Sequence, residues 1–207
     1  MFATAAPVAA GDAFDQLQAT WNGLHDYRVT IDAHEVLGDR SDDHVLRYAF
    51  RKPSNARLDV VEGSKSGSTI VWDGGDRVTA YRRGMSFFKM HGSAWQKDLT
   101  SLRGNGILTP NMGDLVTCFA QHRDDLRESP GPAIGGEPTA EVALSRANVT
   151  CADDPPADRA VTLDVIDVSR KTGLVMERRR YEGERVVERW ELKDYQVDAG
   201  LGDSDLR

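Results

Sequence analysis

The residues able to do chemistry are few and scattered. Five histidines stand at positions 25, 34, 44, 91 and 122, and no H-E-x-x-H or C-x-x-C brings metal ligands together, so no metal site is expected. His34 and Glu35 are adjacent in a stretch that alternates like a strand. Neighbours on a strand point to opposite faces, which separates an acid from a base. "GSKSG" at 63–67 has Lys65 where the nucleophile of a G-x-S-x-G elbow would stand. "GNG" at 104–106 lacks the third glycine of a dinucleotide loop and reads as a turn. "DAGLGDSD" near the end is acidic without the spacing of a calcium loop. These absences point away from an enzyme and from any cofactor. What remains is apolar surface, charge pairs and two thiols.

The thiols are Cys118 and Cys151. In an oxidising compartment they would pair, closing a loop of roughly thirty residues worth about 3–4 kcal/mol of chain entropy. In a reducing one they would be ordinary buried side chains. The charge run "ERRRYEGERVVERWELKD" alternates in strand period, with Glu177, Arg179 and Tyr181 on one face and Arg178 and Arg180 on the other. Its signs alternate across a hairpin, so cross-strand pairing on a solvated face is expected. A docking surface is the other reading of that run.

The chain has 207 residues and a formal net charge of -7, with 40% hydrophobic and 29% charged residues. That suits one packed domain over residues 12–207. The acidic balance argues against nucleic acid as a partner, and no apolar run of eighteen residues exists to span a membrane. Residues 1–11 read as a flexible N-terminal remnant. They lack the basic and long apolar regions of a signal peptide but resemble the small-residue flank beside a cleavage site, which makes export the expectation. "NVT" at 148–150 has the form of a glycosylation sequon.

The elements that would position these residues follow from periodicity. A helix fits 11–25, with Asp12 as N-cap and Phe14, Leu17, Trp21 and Leu24 in one stripe. A second fits 111–128, with Leu115, Phe119, His122 and Leu126 on one side. "SPGPAIGGEP" after it is a loop by composition. Between and after the helices run nine or ten strands joined by short turns rich in Gly, Ser and Asn, an antiparallel meander. Leu46, Tyr48, Phe50, Leu58, Val60, Ile70, Trp72 and Val78 would crowd one side, with Val165, Met176 and Trp190 later. Two helical stripes cannot cover that many strands if the sheet is flat. The expected fold is therefore mainly β: a strongly curved antiparallel sheet, an incomplete barrel, with helices across its concave face and room for an apolar hollow between them. The side chains expected to line that hollow are Phe14, Leu17, Trp21, Leu46, Tyr48, Phe50, Leu58, Val60, Ile70, Trp72 and Phe119.

The order of elements also resembles a known family. An amphipathic helix leads into "YRVTI", then "YAFRKPSNARLDV", then "STIVWDGGDRVTAYRRG"; a second helix breaks the meander, and the chain closes with "LVMERRRYEGERVVERWELKDYQVDAGLGDSDL". Lys52-Pro53 through Arg57, Asp73-Gly74 and Lys193 to Leu206 resemble short motifs of the LolA-like lipoprotein carriers and lipoprotein-sorting proteins. The resemblance implies a half-barrel with a cavity for acyl chains of a lipoprotein or other lipid, a periplasmic or otherwise exported location, and no enzymatic activity. In such carriers an arginine before the proline helps hold the lid shut. Here that place is Lys52, with Arg51 beside it, and these are the lid-latch candidates; lysine offers a point charge where arginine offers a planar fork. The alternative is an envelope-sensing or regulatory domain that uses the same fold to bind a protein partner, as relatives that bind anti-sigma factors do.

Overall fold

In the computed structural model of the protein, the described residues are 12–82, 84, 89–147, 149–152, 154–155 and 160–207. The reading of residues 1–11 lies outside them, as does Asn148 of the sequon. The chain starts with α1 (Asp12–Gly23). Asp12 is the first helical residue and not the cap; the amides of Ala13 and Phe14 instead donate to the Glu128 carboxylate, each at 3.2 Å. A carboxylate there meets orphan N–H groups and the positive end of the helix dipole.

Among the described residues eleven strands form one antiparallel sheet: β1 (Asp26–Leu37), β2 (Arg40–Arg51), β3 (Asn55–Glu62), β4 (Ser68–Trp72), β5 (Val78–Arg82), β6 (Met90–Gly92), β7 (Leu126–Pro130), β8 (Thr139–Ser145), β9 (Leu163–Ser169), β10 (Val175–Glu182) and β11 (Arg185–Val197). Their order is β6-β5-β4-β3-β2-β1-β11-β10-β9-β8-β7. Sheet neighbours are chain neighbours everywhere except at the seam, where β1 pairs with β11, Tyr27 opposite Val197 and Glu35 opposite Glu188, while β6 and β7 lie at the two edges. The sheet is thus two wings of consecutive hairpins, β1–β6 and β7–β11, and it does not close into a barrel. The curved half-barrel with few helices is the expected fold.

The second helix is shorter than its stripe suggested. α2 (Met112–Gln121) starts at a cap, the Asn111 side chain accepting from Gly113 N at 3.0 Å. After a short 3₁₀ turn at Arg123–Asp125 the chain extends into β7, and Leu126 pairs with Leu144 across the sheet instead of continuing the helix. Pro130 is tolerated because β7 is an edge strand, where no ladder partner needs its missing N–H. α1 packs on α2, β8 and β9, with Phe14 and Phe119 rings 6.2 Å apart. Residues 93–111 form an irregular strap between β6 and α2. Tyr27 pins its end: its hydroxyl donates to Pro110 O and accepts from Met112 N. Burial pushes that phenol far up, so it stays a donor. Cys118 of α2 and Cys151 are joined by a disulfide, tying the helix to the segment between β8 and β9.

The outer face carries the cross-strand pairing expected of the charge run, but only for half of it, and Asp167 and Glu177 within that half are buried. Arg179 bonds Glu141 at 2.9 Å and Asp167 at 2.7 Å, and Arg189 bonds Glu177 at 2.6 Å. Arg178 and Arg180 point inward and are buried, which corrects the reading of that face as solvated. Val165 sits opposite Arg179 on the outer face, so Ile166, and not Val165, supplies the apolar inner position of β9. The closing residues lie on the outer face too. Leu201 and Leu206 pack with Ala49, Asp205 pairs with Arg28 at 2.5 Å, and Asp203 with Arg51 at 2.8 Å.

Candidate functional site

A cleft of about 800 Å³ opens on the inner side of the first wing. Its floor is a patch of cross-strand neighbours: Leu46 stands opposite Val60, Leu58 opposite Ile70, and Ile70 opposite Ala80. Small Ala80 leaves room that a leucine would fill. The far wall is the strap, through Leu99, Thr100, Ser101, Asn105 and Gly106, with Trp190 of β11 and Glu35 of β1 at the seam. Exposure separates mouth from interior. Ser64, Lys65, Arg82, Lys89, Met90 and Asp98 are exposed, while Leu58, Ile70, Ala80, Leu99 and Trp190 are buried.

Of the side chains expected to line a hollow, Leu46, Leu58, Val60 and Ile70 do so. Phe14, Leu17, Tyr48, Phe50 and Phe119 are instead fully buried core, and Trp21 and Trp72 pack against that core, all away from the cleft lining. Aromatic rings join them: Trp21 lies 5.8 Å from Phe50, and Tyr27 6.0 Å from Tyr48. The two latch candidates reach different partners. The Lys52 ammonium donates to Trp21 O and lies 4.2 Å from the Trp21 ring centroid, so it holds the C-terminal end of α1. Arg51 donates to Leu201 O at 2.9 Å and to Asp203, holding the outer tail and neither helix.

Beside the cleft lies a polar cluster that the sequence reading did not place. Asp164 accepts from Arg178 Nε at 3.0 Å and Nη2 at 2.7 Å, with Arg180 at 3.4 Å and Arg146 at 3.6 Å. Burial pushes its carboxyl up, but the three guanidiniums outweigh that and hold it at about 2. Asn105 of the strap donates to Glu35 at 2.8 Å and to Glu188 at 2.5 Å, and Arg103 N donates to Glu35 at 3.0 Å. Arg103 also bonds Val36 O and Glu182, each at 2.7 Å. The strap is therefore stapled to the seam by two buried carboxylates. Burial, reinforced by neighbouring Glu35, pushes Glu188 up to about 7 against the pull of Arg180. Among the described residues no group of three or more His, Cys, Asp or Glu could hold a metal ion, and no helix is long and apolar enough to cross a membrane.

The site thus sits in an open, curved antiparallel sheet with a strap and the helices α1 and α2 over its inner face. No family model matches the chain, and no curated protein matches it. Solved structures do. An uncharacterized conserved protein from Thermus thermophilus matches at TM-score 0.58 and 8% identity over 96% of this chain and 93% of its own. MucB in the MucA/MucB complex from Pseudomonas aeruginosa matches at TM-score 0.52 and 17% identity, over 95% of this chain and 61% of that one. A LolA superfamily protein from Nitrosomonas europaea also matches, at TM-score 0.44 and 11% identity over 97% and 98% of the two chains. At these identities the likeness is one of fold.

Proposed function

We propose that this protein is an exported carrier module of the bacterial envelope that binds the acyl chains of a lipoprotein or another lipid, and that it performs no catalysis. The observation that carries the reading is the cleft of about 800 Å³, within the roughly 300–1,000 Å³ typical of small-molecule sites. Its floor is aliphatic, with Trp190 at the seam and polar Glu35, Thr100 and Asn105 along the inner wall, and each methylene buried on the floor contributes about 0.8 kcal/mol. The Cys118–Cys151 disulfide supports an oxidising compartment. Protein purified without detergent is expected to carry lipid adducts in native mass spectra and, once extracted, to bind an apolar dye saturably. Ala80→Trp, which fills the floor, is expected to weaken dye binding at least tenfold. A protein found at its bare mass with no saturable dye binding overturns the reading.

The fold likeness to MucB, whose solved structure contains MucA, supports a second reading, an interaction domain for an envelope protein. Recovery of one stoichiometric protein partner together with an empty cleft would favour it.

A further inference from the structure

The mouth of the cleft differs in charge from the rest of the molecule. The chain carries a formal net charge of -7, yet among the described residues the exposed ionisable ones lining the opening are Lys65, Arg82, Lys89 and Asp98, three cations to one anion. Elsewhere on this protein many basic side chains are tied to carboxylates, as Arg28, Arg51, Arg57 and Lys193 are, and others, such as Arg127 and Arg185, bond backbone carbonyls. Among the described residues, Arg82 and Lys89 make no ion pair, and Lys65 spends its ammonium on two backbone carbonyls of the strap, Lys97 O at 3.1 Å and Thr100 O at 2.5 Å. The cleft's buried carboxylate, Glu35, lies at the inner wall, both of its oxygens engaged by the strap. The potential thus runs from cationic at the opening to apolar on the floor.

We infer that the ligand is a single-chain amphiphile with an anionic head, its tail over Leu58, Ile70 and Ala80 and its head held at the mouth by Arg82 and Lys89. The inference rests on the carrier reading and deepens it by fixing the head group. Low-dielectric walls concentrate the field of those cations at the opening, which favours entry of an anion and its retention there. A neutral head would leave both cations unmatched, and a cationic head would meet repulsion.

The test compares dodecanoate, dodecan-1-ol and dodecyltrimethylammonium as competitors of a bound apolar dye, below their micellar concentrations, with the intact chain. Dodecanoate is expected to bind at least tenfold tighter than the alcohol at low ionic strength, with the cationic amphiphile weakest, and the advantage to shrink as salt is added. The exposed-site double variant Arg82→Glu/Lys89→Glu, checked for native circular dichroism, is expected to abolish the advantage while leaving dodecanol binding unchanged. Equal binding of acid and alcohol, or an advantage that survives the double variant, overturns the inference and leaves the carrier reading standing. Saturable binding of none of the three overturns both.

Discussion

Over β3–β5 the inner face presents Leu58, Ile70 and Ala80 to a cleft of about 800 Å³, whereas over β9–β11 the same face of the same sheet presents Asp164, Arg178, Arg180 and Glu188 joined by ion pairs. The helices do not treat the wings alike either. α1 leans on α2, β8 and β9 and reaches the first wing where Trp21 meets Phe50, while the cleft over β3–β5 is left to the strap. One wing is closed by helices and by long charged side chains that reach one another; the other has short aliphatic side chains and a thin cover. Long, paired side chains can fill a curved sheet that helices only partly cover, and where they are missing a hollow remains.

Removing a carboxylate from the filled wing is the harshest way to break this comparison. Asp164→Ala leaves Arg178, Arg180 and Arg146 without their shared counter-charge in a buried site, and a loss of about 3–5 kcal/mol is expected in urea unfolding. A loss under about 1 kcal/mol would mean that water reaches the cluster and the wing is not closed.

Acid and base should act on the two carboxylates of that wing in opposite senses. Glu188 keeps its proton in the folded chain up to about 7, while in the unfolded chain it releases it near an ordinary glutamate value of about 4.3. Between those values the folded state binds more protons, so this group makes stability fall as pH rises from the lower to the higher. Glu188→Gln is expected to flatten that slope. Asp164, held at about 2, works the other way: its contribution is present above the unfolded carboxyl range and is lost as pH falls toward 2. Chemical denaturation at a series of pH values, wild type against variant, reads both limbs.

The gentlest test adds the same two-methyl branch to each wing. Ala140→Leu in the packed second wing should cost about 1–3 kcal/mol through overpacking. Ala80→Leu, which points into the cleft, is expected to change stability by under about 0.5 kcal/mol. Equal costs at the two positions would erase the contrast.

Much of the first wing was legible in the sequence, because its strands alternate cleanly between apolar and polar residues: Leu46, Leu58, Val60 and Ile70 follow from period two alone, and the stripe of Phe14 and Leu17 from the helical period. The second wing resisted. In "ERRRYE" both faces of the strand carry charge, so alternation separates Arg178 and Arg180 from Glu177 and Arg179 without saying which pair faces in. The deciding partner, Asp164, sits on another strand, opposite Arg180. The strap was hidden for a different reason: residues 93–111 have no period, so nothing local places Leu99 or Asn105 over the cleft. β7 was masked because Leu126 completes a helical stripe as well as a strand pair, and only the sheet edge beside β8 resolves the tie.

The seam between first and last strands has a kinetic consequence. Within each wing every pairing joins chain neighbours, so hairpin can add to hairpin through connections far shorter than the one that joins the seam, the longest running from Ser145 to Leu163. β1 and β11 meet only by bringing Ala33 to Trp190, from opposite ends of the chain, and such distant pairing carries the largest loop-closure entropy and comes late. In pulsed hydrogen exchange during refolding, the amides linking β1 to β11 should gain protection after those inside either wing. Glu35 and Glu188 face each other across that junction, so the inner wall of the cleft and the edge of the ion cluster are completed in the same late event.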